Sequence, residues 1–358
     1  MIVEGAIIDR DGIRSGYVRF RGSRVVEVGK TGTDSTRGRE RRVRGIVVPP
    51  AVDGHTHLGD AAWTREPPDV PVDRLVAPPH GVKFQVLRDT PARRKRSAIR
   101  QSLVRLAREG TSRVIDFREE GLEGVRLLRE AAEGLAIRPV VLGRTLRRPV
   151  DPRELAALLR LADGVGLSSA RDEPRAARSA SARACRAGHK LFALHASEVV
   201  REDPDDFLNP RPNLVVHLLK ATPADIEQVV GEGVSVAVCP RSNALFHRRP
   251  PLDTLERLGA STLLGTDNVM LQSPSMLREL EFAYLSARQA RHPVSPEFLV
   301  RAAFIEPWTF LSEPSRAVIG PEGSGVPLVF RLPPEDPAYQ LVTRATEHLI
   351  WRPGSRGA

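Results

Sequence analysis

Metal-binding and acid–base side chains recur at intervals in short apolar segments of this chain. His55 and His57 stand one residue apart in VVPPAVDGHTHLGDA, directly after an apolar run. Later apolar segments carry four more such residues, namely His195 and Glu198 in LHASE, His217 in VVHLL and Asp267 in GTDN. Any one of them alone is best explained as a core or loop residue. As an ordered set, imidazole and carboxylate groups in this ratio suit Zn²⁺ well and Fe²⁺ acceptably, and they predict metal-dependent chemistry.

The elements that must position these residues begin at Gly45, where apolar runs start to alternate with helical patterns. Eight candidate strands cover residues 45–55, 112–117, 138–143, 164–169, 190–196, 213–218, 234–240 and 261–267. Helical patterns lie between them, and TPADIEQVVGEG begins with Thr222 as its cap and Pro223 at the first helical position. Eight such units over roughly 265 residues match a TIM barrel, whose active site lies at the C-terminal ends of the strands. His55 and His57 then share a face, because alternate strand residues point the same way.

Both ends of the chain carry short β-rich segments outside this alternation. IVEGAIID, SGYVRFRG and RVVEVGK read as an antiparallel meander, and GVPLVFRL and EHLIWRPG also look like strands. The sequence therefore predicts an α/β protein in which a (β/α)8 TIM barrel spans residues 46–311. Residues 1–45 and 312–358 are expected to form a small β-sandwich-like module.

The connection after the first strand is unusually long. About forty residues, 60–97, precede the next clear helix, which is too long for an ordinary strand-to-helix loop and favours a lid or binding loop over a plain insertion. His80 and Lys83 in this segment are candidate substrate contacts, and a purely structural role for either is about as good an explanation.

Composition excludes several classes of protein. Of 358 residues, 41% are hydrophobic, but no window is long and apolar enough to span a membrane, and acids near the N-terminus argue against a signal peptide. A cytoplasmic protein is expected. Cys185 and Cys239 lie too far apart for a cysteine zinc motif and indicate no disulfide framework. The net charge of +10 comes from basic residues interleaved with 44 acids, and aromatics are only 5%, so solvated surface is favoured over specific nucleic-acid contact.

The ordered set His55-x-His57, His195-x-x-Glu198, His217 and Thr266-Asp267 resembles the metal-dependent amidohydrolase superfamily. VCPRSNALF, residues 238–246, is similar to the signature of its deaminase and chlorohydrolase branch, which includes proteins like cytosine deaminase and S-adenosylhomocysteine deaminase. The resemblance covers essentially the whole chain.

The resemblance implies a role for each residue of the set. His55, His57, His195 and Asp267 would bind one divalent metal, Zn²⁺ before Fe²⁺, which lowers the pKa of its bound water. His217 would hydrogen-bond the reacting oxygen, Asp267 would take the proton of the water, and Glu198 would protonate a ring nitrogen of the substrate. Two-metal members use a carboxylated lysine on strand four. That strand reads GVGLSSA here, so a single metal is expected.

Further substrate contacts have competing explanations. Arg118 in DFREEG could hold a carboxylate or phosphate, although an ion pair with its acidic neighbours is favoured. Ser242 and Asn243 could touch a ligand or cap the following helix. Arg241 and Asn268 are further candidate pocket residues.

The function most consistent with these residues is hydrolytic deamination of an aminated purine, pyrimidine or pterin by a metal-bound hydroxide, with release of ammonia. Ring opening of a cyclic amide, as in an imidazolone or hydantoin, and dechlorination are alternative reactions. A catalytically silent scaffold is a further alternative, which the intact ligand set disfavours. The expected partner is a small molecule, with no specific nucleic acid and no membrane, and a homo-oligomer is favoured only weakly.

Overall fold

The computed structural model describes residues 1–32, 40–63, 65–66, 68–147 and 149–347. The chain divides into two compact units, each built from separate stretches of sequence. The first contains Met1–Val52, Arg108–Ser112 and Met276–Ala358, and the second contains Asp53–Ala107 and Arg113–Ser275. The sequence-based domain limits at residues 45/46 and 311/312 stay a prediction.

The first unit contains a five-stranded sheet. Its strands are β1 (Ile2–Asp9), β2 (Gly12–Arg21), β3 (Arg24–Gly29), β4 (Arg42–Val48) and, from far along the chain, β14 (Leu328–Phe330), in the order β14-β4-β1-β2-β3. The antiparallel meander β1–β2–β3 is confirmed, whereas β4 pairs parallel to β1 and antiparallel to β14. Apolar side chains such as Val18, Val47 and Val329 pack on this sheet. The strand predicted in EHLIWRPG lies outside the described residues.

The second sheet is parallel and has nine strands within the described residues. They are β5 (Ala51–His57), β6 (Thr111–Arg118), β7 (Arg138–Gly143), β8 (Gly164–Ser169), β9 (Leu191–Ala196), β10 (Leu214–His217), β11 (Ser235–Val238), β12 (Thr262–Leu264) and β13 (Asp267–Asn268). Their order is β12-β11-β10-β9-β8-β7-β6-β5-β13. Because β12 and β13 lie at opposite edges but are separated by only residues 265–266, the sheet curls until its edges meet. This is the (β/α)8 barrel arrangement, with an eighth strand in two pieces.

Two of the predicted strands are wrong in their limits. The run 45–55 is divided between β4 of the small sheet and β5 of the barrel, because Pro49 and Pro50 lack the N–H groups that a continuous ladder needs. The run 261–267 is interrupted before Asp267, whose φ of +58° lies in the left-handed region. The Asp53 carboxylate holds this interruption in place, since it accepts hydrogen bonds from the Thr266 amide (3.0 Å) and hydroxyl (2.6 Å).

Helices follow most barrel strands. Those before the last barrel strand are α1 (Val72–Val76), α2 (Val82–Asp89), α3 (Ala92–Arg108), α4 (Gly121–Ala132), α5 (Pro152–Leu161), α6 (Arg175–Ala187), α7 (Pro204–Leu208), α8 (Pro223–Gly231), α9 (Pro240–Ala244) and α10 (Leu252–Arg257). Later ones are α11 (Met276–Gln289), α12 (Pro296–Phe304), α13 (Glu306–Phe310) and α14 (Pro337–Arg344), with 3₁₀ turns at Leu58–Ala62, Pro314–Ala317 and Ala345–Glu347. The predicted start of α8 is confirmed: Thr222 and Asp225 form a reciprocal capping box. No helix in the described ranges is long and apolar enough to cross a bilayer.

The long connection after β5 is more ordered than its composition suggests. It holds the 3₁₀ turn Leu58–Ala62 and the helices α1 and α2 before α3 begins at Ala92. Leu75 and Leu87 are buried, which fixes these short helices by apolar packing. Lys83 therefore stands on a defined helix.

Candidate metal centre

Four side chains from three parts of the barrel sheet converge on one point. The Nε2 atom of His195 lies 3.3 Å from His55 Nε2 and 3.4 Å from His57 Nε2. Asp267 Oδ1 lies 3.4 Å from His55 Nε2 and 3.7 Å from His57 Nε2. All four residues are buried. The structure thus brings together the ligand set that the sequence proposed, although these residues are 212 positions apart at the extremes, from His55 to Asp267.

The protonation of the imidazoles shows that this cluster suits a cation. His57 Nδ1 lies 3.1 Å from the Phe117 carbonyl oxygen, and His195 Nδ1 lies 2.9 Å from the Leu167 carbonyl oxygen. Since a carbonyl only accepts, each Nδ1 carries the ring proton of a neutral imidazole and each Nε2 exposes a lone pair. Lone pairs that face one another at 3.4 Å repel unless a positive ion lies among them. Separations of 3.3–3.7 Å between these facing atoms leave room for a divalent ion held by the four residues.

The pKa values of these residues favour the same states. Burial lowers the pKa of His55 and His195 and, together with the nearby Lys83, lowers that of His57 to about 4. Burial would raise the pKa of Asp267, but its hydrogen bond with the His55 side chain and its interactions with the other nearby histidines outweigh burial and hold that pKa well below its usual range. At neutral pH the cluster consists of neutral imidazoles and a carboxylate, the forms that bind metal ions.

His217 and Glu198 lie beside this cluster. His217 Nε2 is 3.8 Å from Glu198 Oε2, and a ring nitrogen of His217 lies within 4.8 Å of those of His55 and His195. The backbone of His217 has a φ of +82°, an uncommon conformation for a non-glycine residue. Burial, together with the negative charge of Asp267, raises the pKa of Glu198 to about 7. A carboxyl with that pKa can exchange a proton near neutrality.

Two residues of α9, the short helix after β11, form hydrogen bonds to the cluster and to His217. Ser242 donates its hydroxyl hydrogen bond to Asp267 Oδ2 at 2.6 Å, and Asn243 Nδ2 lies 3.4 Å from His217 Nδ1. The capping alternative for these two residues is wrong, because α9 begins at Pro240 after Cys239 and places both inside the helix. Neither residue lines the cavity that opens onto the cluster.

Lys83 reaches the cluster from α2 through two intermediaries. Its Nζ lies 2.7 Å from Glu119 Oε1 and 3.0 Å from Asn268 Oδ1. Glu119 Oε1 lies 2.8 Å from His57 Nδ1, and Asn268 Nδ2 donates to Asp267 Oδ1 at 3.0 Å. Each intermediary therefore touches a different member of the cluster. Burial would raise the pKa of Glu119, but Lys83, His57 and Arg118 together hold it well below its usual range.

The remaining candidate contacts are not brought to the metal centre. Arg118 is buried and pairs with Glu119 at 3.0 Å and Asp116 at 3.7 Å, as expected if its role is to form ion pairs with its acidic neighbours. His80 is exposed in the turn before α2. Arg241 donates to the Ser273 carbonyl oxygen at 3.3 Å. None of the three lines the cavity that opens onto the cluster.

A cavity opens onto the cluster. His57, His195, His217, Glu198 and Asp267 lie in its wall, together with Asn268 and Lys83. Further wall residues come from the connection after β5 and from the C-terminal ends of β7 and β8, among them Phe84, Arg144, Ser168 and Arg171. Sequence analysis missed these four. The signal for Arg144 and Ser168 was present, since polar residues at the C-terminal end of a predicted barrel strand face the active site.

Comparison with curated proteins finds relatives among hydrolases. A protein from Methanothermobacter thermautotrophicus named "Putative aminohydrolase" is 33% identical over an alignment of 278 positions, and the match covers 72% of this chain and 72% of the relative. The aminodeoxyfutalosine deaminase of Deinococcus radiodurans is 32% identical over an alignment of 126 positions, and the match covers 32% of this chain and 29% of that protein. No protein-family model matches the chain.

Solved structures share the fold over nearly the whole chain. An adenosine deaminase from Xanthomonas campestris with bound zinc superposes with a TM-score of 0.75 at 16% identity, covering 99% of this chain and 91% of that one. An atrazine chlorohydrolase from Arthrobacter aurescens complexed with zinc has a TM-score of 0.73 at 18% identity, covering 95% and 90% of the two chains. At these identities the likeness concerns the fold.

The aminohydrolase relative matches more than two thirds of the chain, and the barrel and its histidine cluster agree with the resemblance drawn from the motifs. By sequence and fold, this chain belongs to the metal-dependent amidohydrolase superfamily.

Proposed function

We propose that this hydrolase removes the amino group of an aminated heterocycle of the purine, pyrimidine or pterin class and releases ammonia. One observation carries the proposal: Glu198, a carboxyl with a pKa of about 7, lies in the cavity wall 3.8 Å from His217 and next to the histidine cluster. Deamination needs such a group, because the ring nitrogen must gain a proton before the amino group can leave. The deaminase among the sequence relatives supports the same reaction class.

The residues that would hold the metal are His55, His57, His195 and Asp267. A divalent ion bound by them, zinc before iron, would act as a Lewis acid and make water a nucleophile near neutral pH. The count of one rests on β8, which carries serines at its C-terminal end where two-metal members carry a lysine.

The proton-transfer roles follow from the hydrogen-bond partners. Asn243 Nδ2 donates to His217 Nδ1, which leaves the ring proton on Nε2, so His217 can donate to the oxygen that adds to the substrate carbon. Asp267 accepts the proton of the attacking water. Glu198 gives its proton to the ring nitrogen next to that carbon. Asp267 then passes the water's proton to the amino group, the carbon–nitrogen bond breaks to release ammonia, and the hydroxyl proton returns to Glu198 as the carbonyl forms.

The pH dependence of kcat/KM should report Glu198. If its protonated form starts the reaction, kcat/KM falls as the pH rises through about 7, because burial and Asp267 raise the pKa of Glu198 to that value. The measurement is a pH profile of ammonia release by the metal-loaded enzyme. A profile that stays flat through neutrality would assign the proton to another group.

Glu119 and Lys83 are proposed to position the ligands. A carboxylate that accepts the Nδ1 proton of a metal-binding histidine fixes its tautomer and strengthens its other nitrogen as a donor. Glu119 is placed to do this for His57, and Lys83 holds Glu119 while it also contacts Asn268 beside Asp267.

Replacing Glu119 with glutamine should weaken zinc binding about 10- to 100-fold, because the amide neither carries the charge nor accepts as strongly from His57. Competition with a chromophoric chelator measures the affinity without substrate. Glu123→Gln, at an exposed position in α4, is the matched control and should keep the affinity of the wild type. Equal affinities for the two variants would remove Glu119 from the metal site.

The reaction itself is tested by product analysis of the zinc-loaded enzyme on a panel of aminated heterocycles, cyclic amides and chlorinated triazines. Deamination predicts ammonia in equal amount to the substrate consumed, with the ring intact. Ring opening without ammonia, or release of chloride, would replace deamination by the corresponding alternative. If protein with verified metal content turned over no compound of the panel, a catalytically silent scaffold would be favoured over an enzyme.

A further inference from the structure

We propose that the substrate carries an uncharged apolar extension, which lies in a second cavity next to the one at the metal centre. The inference deepens the proposed function and rests on it. The second cavity has a volume of about 450 Å³. Five residues line both cavities, namely Pro78, Phe84, Glu119, Arg144 and Asp172. The two cavities are therefore neighbours, close enough for one ligand to reach from the cluster into the second.

The second cavity, which we call the side chamber, has largely apolar walls. One wall is the segment before and within α2, with Pro78, Pro79, Phe84 and Leu87. The facing wall consists of Leu146 after β7 and Pro174 before α6. These side chains offer no hydrogen bonds, so they can recognise only apolar surface.

Leu146 is the clearest sign that this wall is built for a ligand. It is 67% exposed, the largest value among the bulky apolar side chains in the part of the chain that the structure describes. Beneath it lies Gly121, whose position would bring a Cβ within 3.0 Å of the Leu146 side chain. An apolar group in the chamber would cover Leu146 and remove its surface from water, which favours binding in proportion to the area covered.

The charges around the chamber disfavour a cationic extension. Glu119 already faces Lys83 and Arg118, Glu120 pairs with Lys95, and Asp172 lies 3.5 Å from Arg171. The remaining acid, Glu173, is only 2% exposed and accepts from Ser168. A positively charged extension would meet carboxylates that are already compensated, as well as the guanidinium groups of Arg88 and Arg144.

The position of the chamber also indicates where the extension is attached. The chamber lies over the C-terminal ends of β6, β7 and β8, whereas Glu198 and His217 follow and end β9 and β10. A ring whose amino-bearing edge faces Glu198 and His217 presents its opposite edge to the chamber. The extension is therefore expected on a ring atom remote from the amino group.

Binding of paired ligands tests the side chamber without requiring turnover. Adenine and 9-benzyladenine, and cytosine and 1-benzylcytosine, are titrated by calorimetry into zinc-loaded Glu198→Gln protein. In at least one pair the benzyl compound should bind about tenfold more tightly, as expected for an aromatic ring moved into an apolar pocket. Adding Leu146→Ala should reduce that ratio at least about threefold. Leu161→Ala, which removes an exposed leucine of α5 that does not line the chamber, is the matched control and should preserve the ratio.

Each result separates the chamber from the reaction. If no benzyl compound binds more tightly than its parent, or if Leu146→Ala and Leu161→Ala give the same ratio, the chamber is not a substrate subsite. A 4-carboxybenzyl derivative that binds more tightly than the benzyl compound would overturn the uncharged assignment. If the benzyl compounds bind more tightly but the wild type releases no ammonia, the side chamber stays a substrate subsite and deamination is rejected. If the wild type releases ammonia but the benzyl compounds bind no more tightly, deamination stands and the subsite is rejected.

Discussion

Replacing Glu198 with glutamine is expected to leave zinc in place and to lower kcat at least about a hundredfold. Glutamine preserves the size of the side chain and its hydrogen-bonding capacity but has no proton to transfer, and a positioned general acid contributes about 10²–10⁴ in rate. Glu198 lies 3.8 Å from His217 and is not one of the four convergent ligand atoms, so the metal content should not change. The measurements are zinc content by elemental analysis and the initial rate of ammonia release on the same sample.

A second glutamate distinguishes loss of the proton from general damage. Glu227→Gln changes an exposed residue of α8 and should keep both zinc and turnover. Loss of zinc in Glu198→Gln would place Glu198 among the ligands. Turnover within about threefold of the wild type, with zinc retained, would require a different acid.

The convergence of the ligand set was predictable because barrel strands deliver their C-terminal residues to one face. His55 and His57 end β5 and His195 lies near the end of β9, so these three placements follow from the strands, whereas Asp267 begins the last short strand after an interruption. Alternation along β5 puts both histidines on one side. The residue types and the order of the strands were together sufficient to predict that these side chains converge.

The break between β4 and β5 at residues 49–50 was harder to predict from the sequence. A continuous apolar run hid the change from one sheet to another, and only the two prolines marked it. The interruption before Asp267 depends on the buried Asp53 carboxylate, which satisfies the Thr266 amide across the sheet. No local pattern predicts a hydrogen bond between residues so far apart in the chain.

The surroundings of the cluster were harder still to predict from the sequence, because they depend on how the long connection after β5 packs against the barrel. Lys83 was a candidate substrate contact, yet its ammonium group is held by Glu119 and Asn268. That pairing exists because α2 forms inside the long connection and presents Lys83 to the barrel. Leu146 lies in an irregular segment and Phe84 in a short helix of the long connection, and in neither place does spacing or composition separate a cavity wall from an ordinary surface.

Replacing His55 with alanine should abolish both stable zinc binding and ammonia release. Its Nε2 lies 3.3 Å from His195 Nε2 and 3.4 Å from Asp267 Oδ1, so its loss removes one of four donors and leaves the others in a wider site that water can enter.

Asp267→Asn, which keeps the shape but removes the charge, should weaken zinc binding while the protein stays folded. His189→Asn is the control, because His189 is exposed and asparagine tolerates its positive φ of 51°. Circular dichroism verifies folding and chelator competition measures affinity. Full zinc content in folded His55→Ala would place the metal elsewhere, whereas loss of zinc in both site variants but not in the control ties the ion to the cluster and turnover to the ion.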